Sequence, residues 1–315
     1  MNFQAQPATR SEEPLLLGMI GPPGGGKTLS SLKLAKGIQS VRGGDIIVLD
    51  TEGGRARKYN DQIPFKIVEM PPNARSNIFL DAINAQVAVK PAAIIVDSMS
   101  DEHDAYLAWH DEMVPSMGGN EWAAWAKPAA ARKKLITGIL KIKVPLIFTF
   151  RAREKTKQEG KKIINIGWQP VAPLEIVHTL DLACLLPPRA DGVPVWKSEK
   201  IGEDFVLKLP NYLAPFIEQG QPLSEAMGAA FARWAKGETA APVKPAAGAA
   251  DIPTPADYFL QWEARIRDAT RVDQIGPAWN ADKQLHKQIA WTATHSYEDL
   301  KSKVLKAVES MRAPA

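Results

Sequence analysis

The chain has 315 residues, 45% hydrophobic and 23% charged, the balance of a globular protein with one large domain or a core plus a small appendage. Its formal net charge of +4 is too small to argue for a polyanionic partner unless the charge is clustered, and its single cysteine, Cys184, excludes an intrachain disulfide and a cysteine-based zinc site. No apolar run approaches the roughly 18 residues that span a bilayer, and residues 1–14, read as a flexible tail, lack the apolar core of a signal peptide, so the expectation is a cytoplasmic protein with no membrane partner.

The first element is an apolar run, Leu15 to Ile20, that reads as a buried strand; Leu29 to Ile38 reads as the helix after it. Between them GPPGGGKT fits G-x-x-x-x-G-K-[ST], with Gly21, Gly26, Lys27 and Thr28 at the required offsets. The pattern has a mechanism. Glycines let successive backbone N–H groups converge on one anion, and the helix N-terminus adds partial positive charge. Gly21, Pro22, Pro23, Gly24, Gly25, Gly26, Lys27, Thr28 and Leu29 are therefore the expected nucleotide cradle. Lys27 would reach the β- and γ-phosphates, and Thr28 would hold Mg²⁺. The flanking strand and helix set this apart from a Gly/Pro turn that happens to precede a lysine.

Ile46 to Leu49 read as a parallel strand with Asp50, Thr51 and Glu52 at its carboxyl end, the end that carries chemistry in open α/β sheets. Arg55 to Asn60 reads as a polar loop, Phe65 to Val68 as a short strand, and Asn77 to Val89 as a helix with Ile78, Ala82, Ala85 and Val89 on its apolar face. Ala93 to Val96 form a buried strand ending in Asp97 and Ser98. An apolar strand tipped by a carboxylate has the form of a Walker B segment, where Asp97 would hold the Mg²⁺ shell opposite Thr28; the plainer reading is a helix N-cap.

Residues 99–130 are irregular and rich in Trp, Met and Gly. A helix is expected from Glu102 to Met113, broken at Pro115, then a loop from Ser116 to Asn120. Trp109, Trp122 and Trp125 would either stack on bases or pack the segment onto the body, and His103 and His110 read as surface histidines. Arg132 to Lys143 reads as an amphipathic helix with basic residues on its solvated face. Residues 144–150 form the next buried strand, with Arg151 just beyond its end. From Arg151 to Lys162 there are six basic and two acidic residues, a net of +4, equal to the formal charge of the whole chain. Gly160 suits a tip and Trp168 follows. Such a run is either a solvated face or, on the P-loop edge of the sheet, a site for a phosphate backbone.

Leu174 to His178 read as a helix, Leu180 to Leu186 as a strand, and 193–200 as its hairpin partner; Phe205 to Leu209 read as another strand and Leu223 to Lys236 as a helix. Cys184, in an apolar run, reads as core. Residues 237–255 are an Ala/Pro/Gly-rich linker, and 256–315 carry three apolar faces of a small helical domain: Tyr258, Phe259, Trp262, Ile266 and Ala269; Trp279, Leu285, Ile289 and Trp291; Leu300, Val304 and Val308.

In this order, residues 12–236 resemble the RecA-like ATPase core, and are especially similar to small phage RecA-like recombinases of the Sak type. The strand ending in Asp50-Thr51-Glu52 and the segment Val96-Asp97-Ser98 carry that resemblance. The expected fold is α/β, a RecA-like P-loop NTPase core with a mostly parallel central sheet (15–236), plus the small C-terminal α-helical domain (256–315). The resemblance implies ATP and Mg²⁺ as cofactors, ATP hydrolysis stimulated by DNA, single-stranded DNA as partner, recombination or strand annealing as the process, and a bacterial host's cytoplasm as the location. It makes Glu52 the general base and Asp97 with Ser98 the Walker B pair. Arg151 falls where the family usually has a Gln that senses the γ-phosphate, a departure that suits direct charge stabilisation with Lys27. Arg153, Lys155, Lys157, Lys161, Lys162 and Trp168 correspond to the second DNA-binding loop, and Met113 to Trp125 to the first by position. Lys197 and Lys200 resemble lysines that reach a neighbouring subunit's ATP, the alternative being a plain surface hairpin.

The resemblance also implies a homo-oligomer, ring or filament, and leaves the C-terminal domain to recruit a single-strand-binding or annealing protein. The competing functions are a DNA motor or loader of helicase or packaging type, and a nucleotide-dependent switch that binds proteins without touching DNA. A GTPase is disfavoured because N-K-x-D is absent from the sequence. A small-molecule kinase is disfavoured because no Arg-rich lid or acceptor pocket is evident.

Overall fold

The computed structural model describes residues 14–159, 162–238 and, of 255–312, all but 270, 271, 283, 284, 287, 288, 290 and 293. Lys161 and most of the 237–255 linker lie outside the described residues. The chain divides into two compact units, Met1–Val243 and Lys244–Ala315.

The first unit is built on a seven-stranded sheet. In chain order its elements are β1 (Leu16–Gly21), α1 (Lys27–Arg42), β2 (Ile46–Asp50), β3 (Lys66–Glu69), α2 (Ser76–Val87), β4 (Ala93–Asp97), α3 (Ser100–Ser116), α4 (Glu121–Ala124), α5 (Ala126–Ile139), β5 (Leu146–Glu159), β6 (Lys162–Pro170), α6 (Leu174–Thr179), β7 (Leu182–Leu185), α7 (Ile201–Val206) and α8 (Glu225–Ala235). The strands run in the order β3-β2-β4-β5-β1-β7 and all these neighbours are parallel; β6 alone is antiparallel, against the outer half of β5. This is the mostly parallel α/β core expected from the sequence.

Strand periodicity sorts the apolar runs onto two faces. Leu17, Met19, Val48, Ile95, Ile147 and Cys184 face a core completed by α1 and α8. Leu16, Ile20, Leu49, Val96, Phe148 and Phe150 face a second core completed by α2 and α5. Cys184 is fully buried with its Sγ 3.5 Å from Met19 Sδ, and burial pushes its thiol up, so it is core as expected. Helices α1 and α8 touch at two glycines. A Cβ on Gly37 would lie 1.9 Å from the Glu225 carbonyl oxygen, and one on Gly228 would lie 2.1 Å from that of Leu34.

Several local expectations give way to tertiary contacts. Arg55–Tyr59 is a 3₁₀ turn, not a loop. In α2 the buried residues are Ser76, Phe79 and Ile83, whereas Ile78 and Val89 are exposed, because the core-facing stripe is one position round from the one the sequence suggested. Helix α3 continues through Pro115, whose missing N–H falls in a last turn closed by bonds from Gly118 to Pro115 and from Met117 and Gly119 to Val114. Arg132 is not on a solvated face: it lies buried against Glu102, which is also bonded by Ser76, and its guanidinium sits 3.2 Å from the centre of the Tyr106 ring. His110 is likewise buried, stacked on Trp125 at 3.8 Å, while His103 is half-buried.

The expected hairpin at 193–200 is reduced to one bridge, Leu185 to Val195; of the expected strand at Phe205 to Leu209, Phe205 and Val206 belong to helix α7 and the rest keeps one bridge, from Lys208 to Ala183. Glu203 explains this. It accepts from the Ser198 hydroxyl and from the Trp168 N–H, and those bonds hold the segment as a helix against β6.

The second unit contains α9 (Pro255–Asp268), α10 (Gly276–Ala281) and α11 (Tyr297–Arg312). Its core joins Tyr258, Phe259 and Trp262 to Ile275, Ile289, Leu300 and Val304, with Ile266, Ala269, Trp279, Leu285, Trp291 and Val308 packed around. No described helix is long and apolar enough to cross a membrane.

Candidate active site

The loop between β1 and α1 shows why its sequence is what it is. Gly24 and Gly26 have φ of 80° and 90°, in the left-handed region that side chains disfavour. Gly21 and Gly25 lie so close to the Leu186 carbonyl that an added Cβ would sit 2.3 and 2.4 Å from its oxygen. The backbone is thus folded back on itself at the head of a sixteen-residue helix whose first turn carries no acidic residue. That leaves the positive end of α1 open to an anion.

Lys27 is buried and its Nζ donates to the Pro22 carbonyl at 3.0 Å. Burial lowers its pKa; the charges of Asp97 and Glu52 oppose that shift and Arg151 adds to it. The Thr28 hydroxyl donates to Asp97 Oδ2 at 2.7 Å, and the Thr149 hydroxyl donates to Asp97 Oδ1 at 2.5 Å. A cradle of glycine backbone, a buried lysine and two neighbouring oxygen ligands fit a nucleoside triphosphate with Mg²⁺, a hard ion that takes few protein oxygens and fills its shell with water and phosphate. Thr28 and Asp97 are the residues that would hold it.

Ser98 turns away from this centre. It is fully buried, its Oγ accepts from the Ser100 N–H, and its own N–H donates to Thr51 Oγ1 at 2.8 Å. Leu29 packs on the α1 side of the core. Glu52 lies in the turn after β2 with its side chain 27% exposed and 3.9 Å from Arg55. Burial raises its pKa first, the neighbouring Asp97 charge second, against the pull of Lys27. Asp50 closes the same turn by accepting from the Gly54 N–H at 2.5 Å; its Oδ1 is buried without a hydrogen-bond partner, and burial raises its pKa.

Arg151 is not beyond a strand end. Strand β5 continues to Glu159, so Arg151 lies within it, paired in register with Gly21. Past it, β5 and β6 form an antiparallel hairpin with a register shift between Lys155 and Thr156. Alternation puts Arg153, Lys155 and Lys157 on one face of β5, about 6.6–6.8 Å apart. Lys157 pairs with Ile164, and Glu159 with Lys162, which brings Lys162 and Ile164 to that face as well. All but Glu159, whose side chain lies outside the described residues, are exposed. Trp168 departs from the expected DNA-stacking position: it is half-buried and packs on the second core. Among the tryptophans of 109–125, Trp125 is stacked between His110 and Tyr106 and Trp109 lies under Arg75, so Trp122, 90% exposed, is the open one. Lys197 and Lys200 are exposed, with Lys200 Nζ 3.6 Å from Glu203 and 3.9 Å from Glu154.

Sequence reasoning missed Thr149, Asp101 and Asp104. The only mark of Thr149 was a hydroxyl in an apolar strand; Asp101 and Asp104, at the start of α3, carried no local signal of a role.

The parallel sheet, the glycine cradle at its carboxyl edge and the Thr28–Asp97 contact define a P-loop nucleotide-binding protein. Residues 13–183, more than half the chain, match the AAA domain family, and the chain belongs to that family. No curated protein matches it.

Proposed function

We propose that this P-loop protein is an ATPase of RecA-like type that binds single-stranded DNA through the β5–β6 hairpin and acts in recombination or strand annealing. The observation that supports it most is continuity: one strand carries Arg151 beside the P-loop and, two residues later, begins the basic row of Arg153, Lys155 and Lys157. A row of cations on an exposed strand face suits a sugar–phosphate backbone, and Ile164 on the same face gives an apolar contact for bases.

Bound ATP with Mg²⁺ supplies the reactive phosphoanhydride. The chain's own residues do the rest. The loop amides and Lys27 bind and orient the phosphates. Glu52, its pKa raised by burial, takes the proton of the attacking water. Lys27 and Arg151 offset the charge that moves onto the leaving oxygen. In this reading the exposed Lys197 and Lys200 serve a neighbouring protomer's nucleotide in a ring or filament, and the C-terminal domain recruits a single-strand-binding or annealing protein.

The test is the ATPase rate with and without single-stranded oligonucleotide. Strong stimulation is expected, and replacing Lys155, Lys157, Lys161 and Lys162 together should abolish it and flatten the salt dependence of binding by about 0.7 in log–log slope per lost phosphate contact. Unchanged DNA affinity in that variant would point to the protein-binding switch. Directional unwinding in place of strand pairing would point to the motor.

A further inference from the structure

Thr149 and Arg151 are two residues apart on β5 and so share one face of the sheet. Thr149 bonds Asp97. Arg151 therefore stands one side-chain step beyond the candidate metal ligand, at the carboxyl edge where phosphates gather. It is engaged there. One terminal nitrogen donates to Asp101 Oδ1 at 3.0 Å and to Asp104 Oδ2 at 2.7 Å. Its Nε is buried and has no hydrogen-bond partner among the described residues. The guanidinium fork is thus half used: both carboxylates crowd one nitrogen, and neither makes the paired contact that arginine forms with a planar or tetrahedral oxyanion.

Asp101 is held from a second side. Asp101 Oδ2 accepts from the Thr51 hydroxyl at 2.5 Å, next to Glu52, and Ser100 Oγ accepts from the Arg151 backbone N–H at 2.9 Å. The head of α3 is thereby pinned to the turn after β2 on one side and to β5 on the other.

We propose that Asp101 and Asp104 are positioning residues that form a latch on Arg151, released when the terminal phosphate of a bound nucleoside triphosphate offers the fork a better acceptor. The inference rests on the nucleotide site described above. A diphosphate lacks the group that would compete, so the latch makes the site discriminate between the two nucleotides by less than Arg151 alone would allow. Weakening the latch should widen that discrimination.

Asp104 is the arm to change: its side chain is 48% exposed, and Asp101 also bonds Thr51. The full chain, with Mg²⁺, is titrated with a non-hydrolysable ATP analogue and with ADP, as wild type, Asp104→Asn, Arg151→Gln and the double variant. Asp104→Asn should tighten the triphosphate analogue about five-fold, the scale of one partly exposed ion pair, and leave ADP unchanged. The gain should vanish in the Arg151→Gln background. Equal tightening of both nucleotides, no change in their ratio, or a gain that survives Arg151→Gln overturns the latch alone. Wild-type protein that binds neither nucleotide overturns the nucleotide site and the latch together.

Discussion

Burial raises the pKa of Glu52, the charges of Asp97 and Asp101 add to that shift, and Lys27 and Arg55 oppose it. The sign follows directly. A base must be deprotonated, so turnover should be lost as pH falls through a pKa higher than that of an exposed glutamate, and the acid limb of kcat/KM should lie on that higher side. Glu52→Gln should keep nucleotide binding, since the cradle is made of Gly24, Gly26 and Lys27, and lower kcat by about 10²–10⁴ while erasing the acid limb. Normal hydrolysis in this variant would remove Glu52 from the base role. The same shift makes the charged form costly in the folded state. The wild type therefore gains stability as pH falls through the raised pKa, and Glu52→Gln should melt no lower than wild type at neutral pH.

At the scale of elements, two contacts decide whether the scaffold holds the site still. Helix α1 presents Lys27 and Thr28, and its close approach to α8 through Gly37 and Gly228 leaves no room for a side chain. Helices α3 and α5 are tied by the buried Glu102–Arg132 pair, with Glu102 fully buried and Arg132 only 9% exposed. Arg132→Ala strands a carboxylate in the interior and should cost about 3–5 kcal/mol of stability by urea denaturation. Replacing Glu102 and Arg132 together by Leu and Met should recover most of that loss, because the penalty belongs to the unpaired charge more than to the missing bond. Since α3 also carries Asp101 and Asp104, the single variant should disturb nucleotide discrimination as well, and the double variant should restore it.

At the scale of the molecule, each unit closes its own core. Both cores of the first unit are made from residues no later than Trp234, and that of the second from residues no earlier than Tyr258. A chain ending at Val243 should therefore bind nucleotide with the affinity of the full chain, measured by titration with the same ATP analogue. A large loss on truncation would show that the second unit contributes to the site. Charge has its own distribution at this scale: the stretch from Arg151 to Lys162 alone matches the net +4 of the whole chain, so the rest is balanced. A partner that responds to charge should read the hairpin and little else.

The buried parallel strands, the glycine loop and their succession along the chain were legible without a structure. Apolar runs buried on both faces, a glycine-rich loop before a helix and a carboxylate at a strand tip are local patterns with local physical causes, and GPPGGGKT, Ile46–Asp50 and Ala93–Asp97 each announce themselves. Tertiary structure decided what depends on a partner distant in the chain. The length of β5 was hidden because its outer half is polar and is held as a strand only by β6. Arg132 read as solvated because Glu102, thirty residues away, gives its charge a buried mate. Residues 193–200 were expected to form a strand and keep one bridge, and Ile201–Val206 is helix where Glu203 bonds Ser198 and Trp168. Thr149, Asp101 and Asp104 joined the site for the same reason: a hydroxyl or a carboxylate gains its meaning from what stands opposite, and only the folded chain brings the two together.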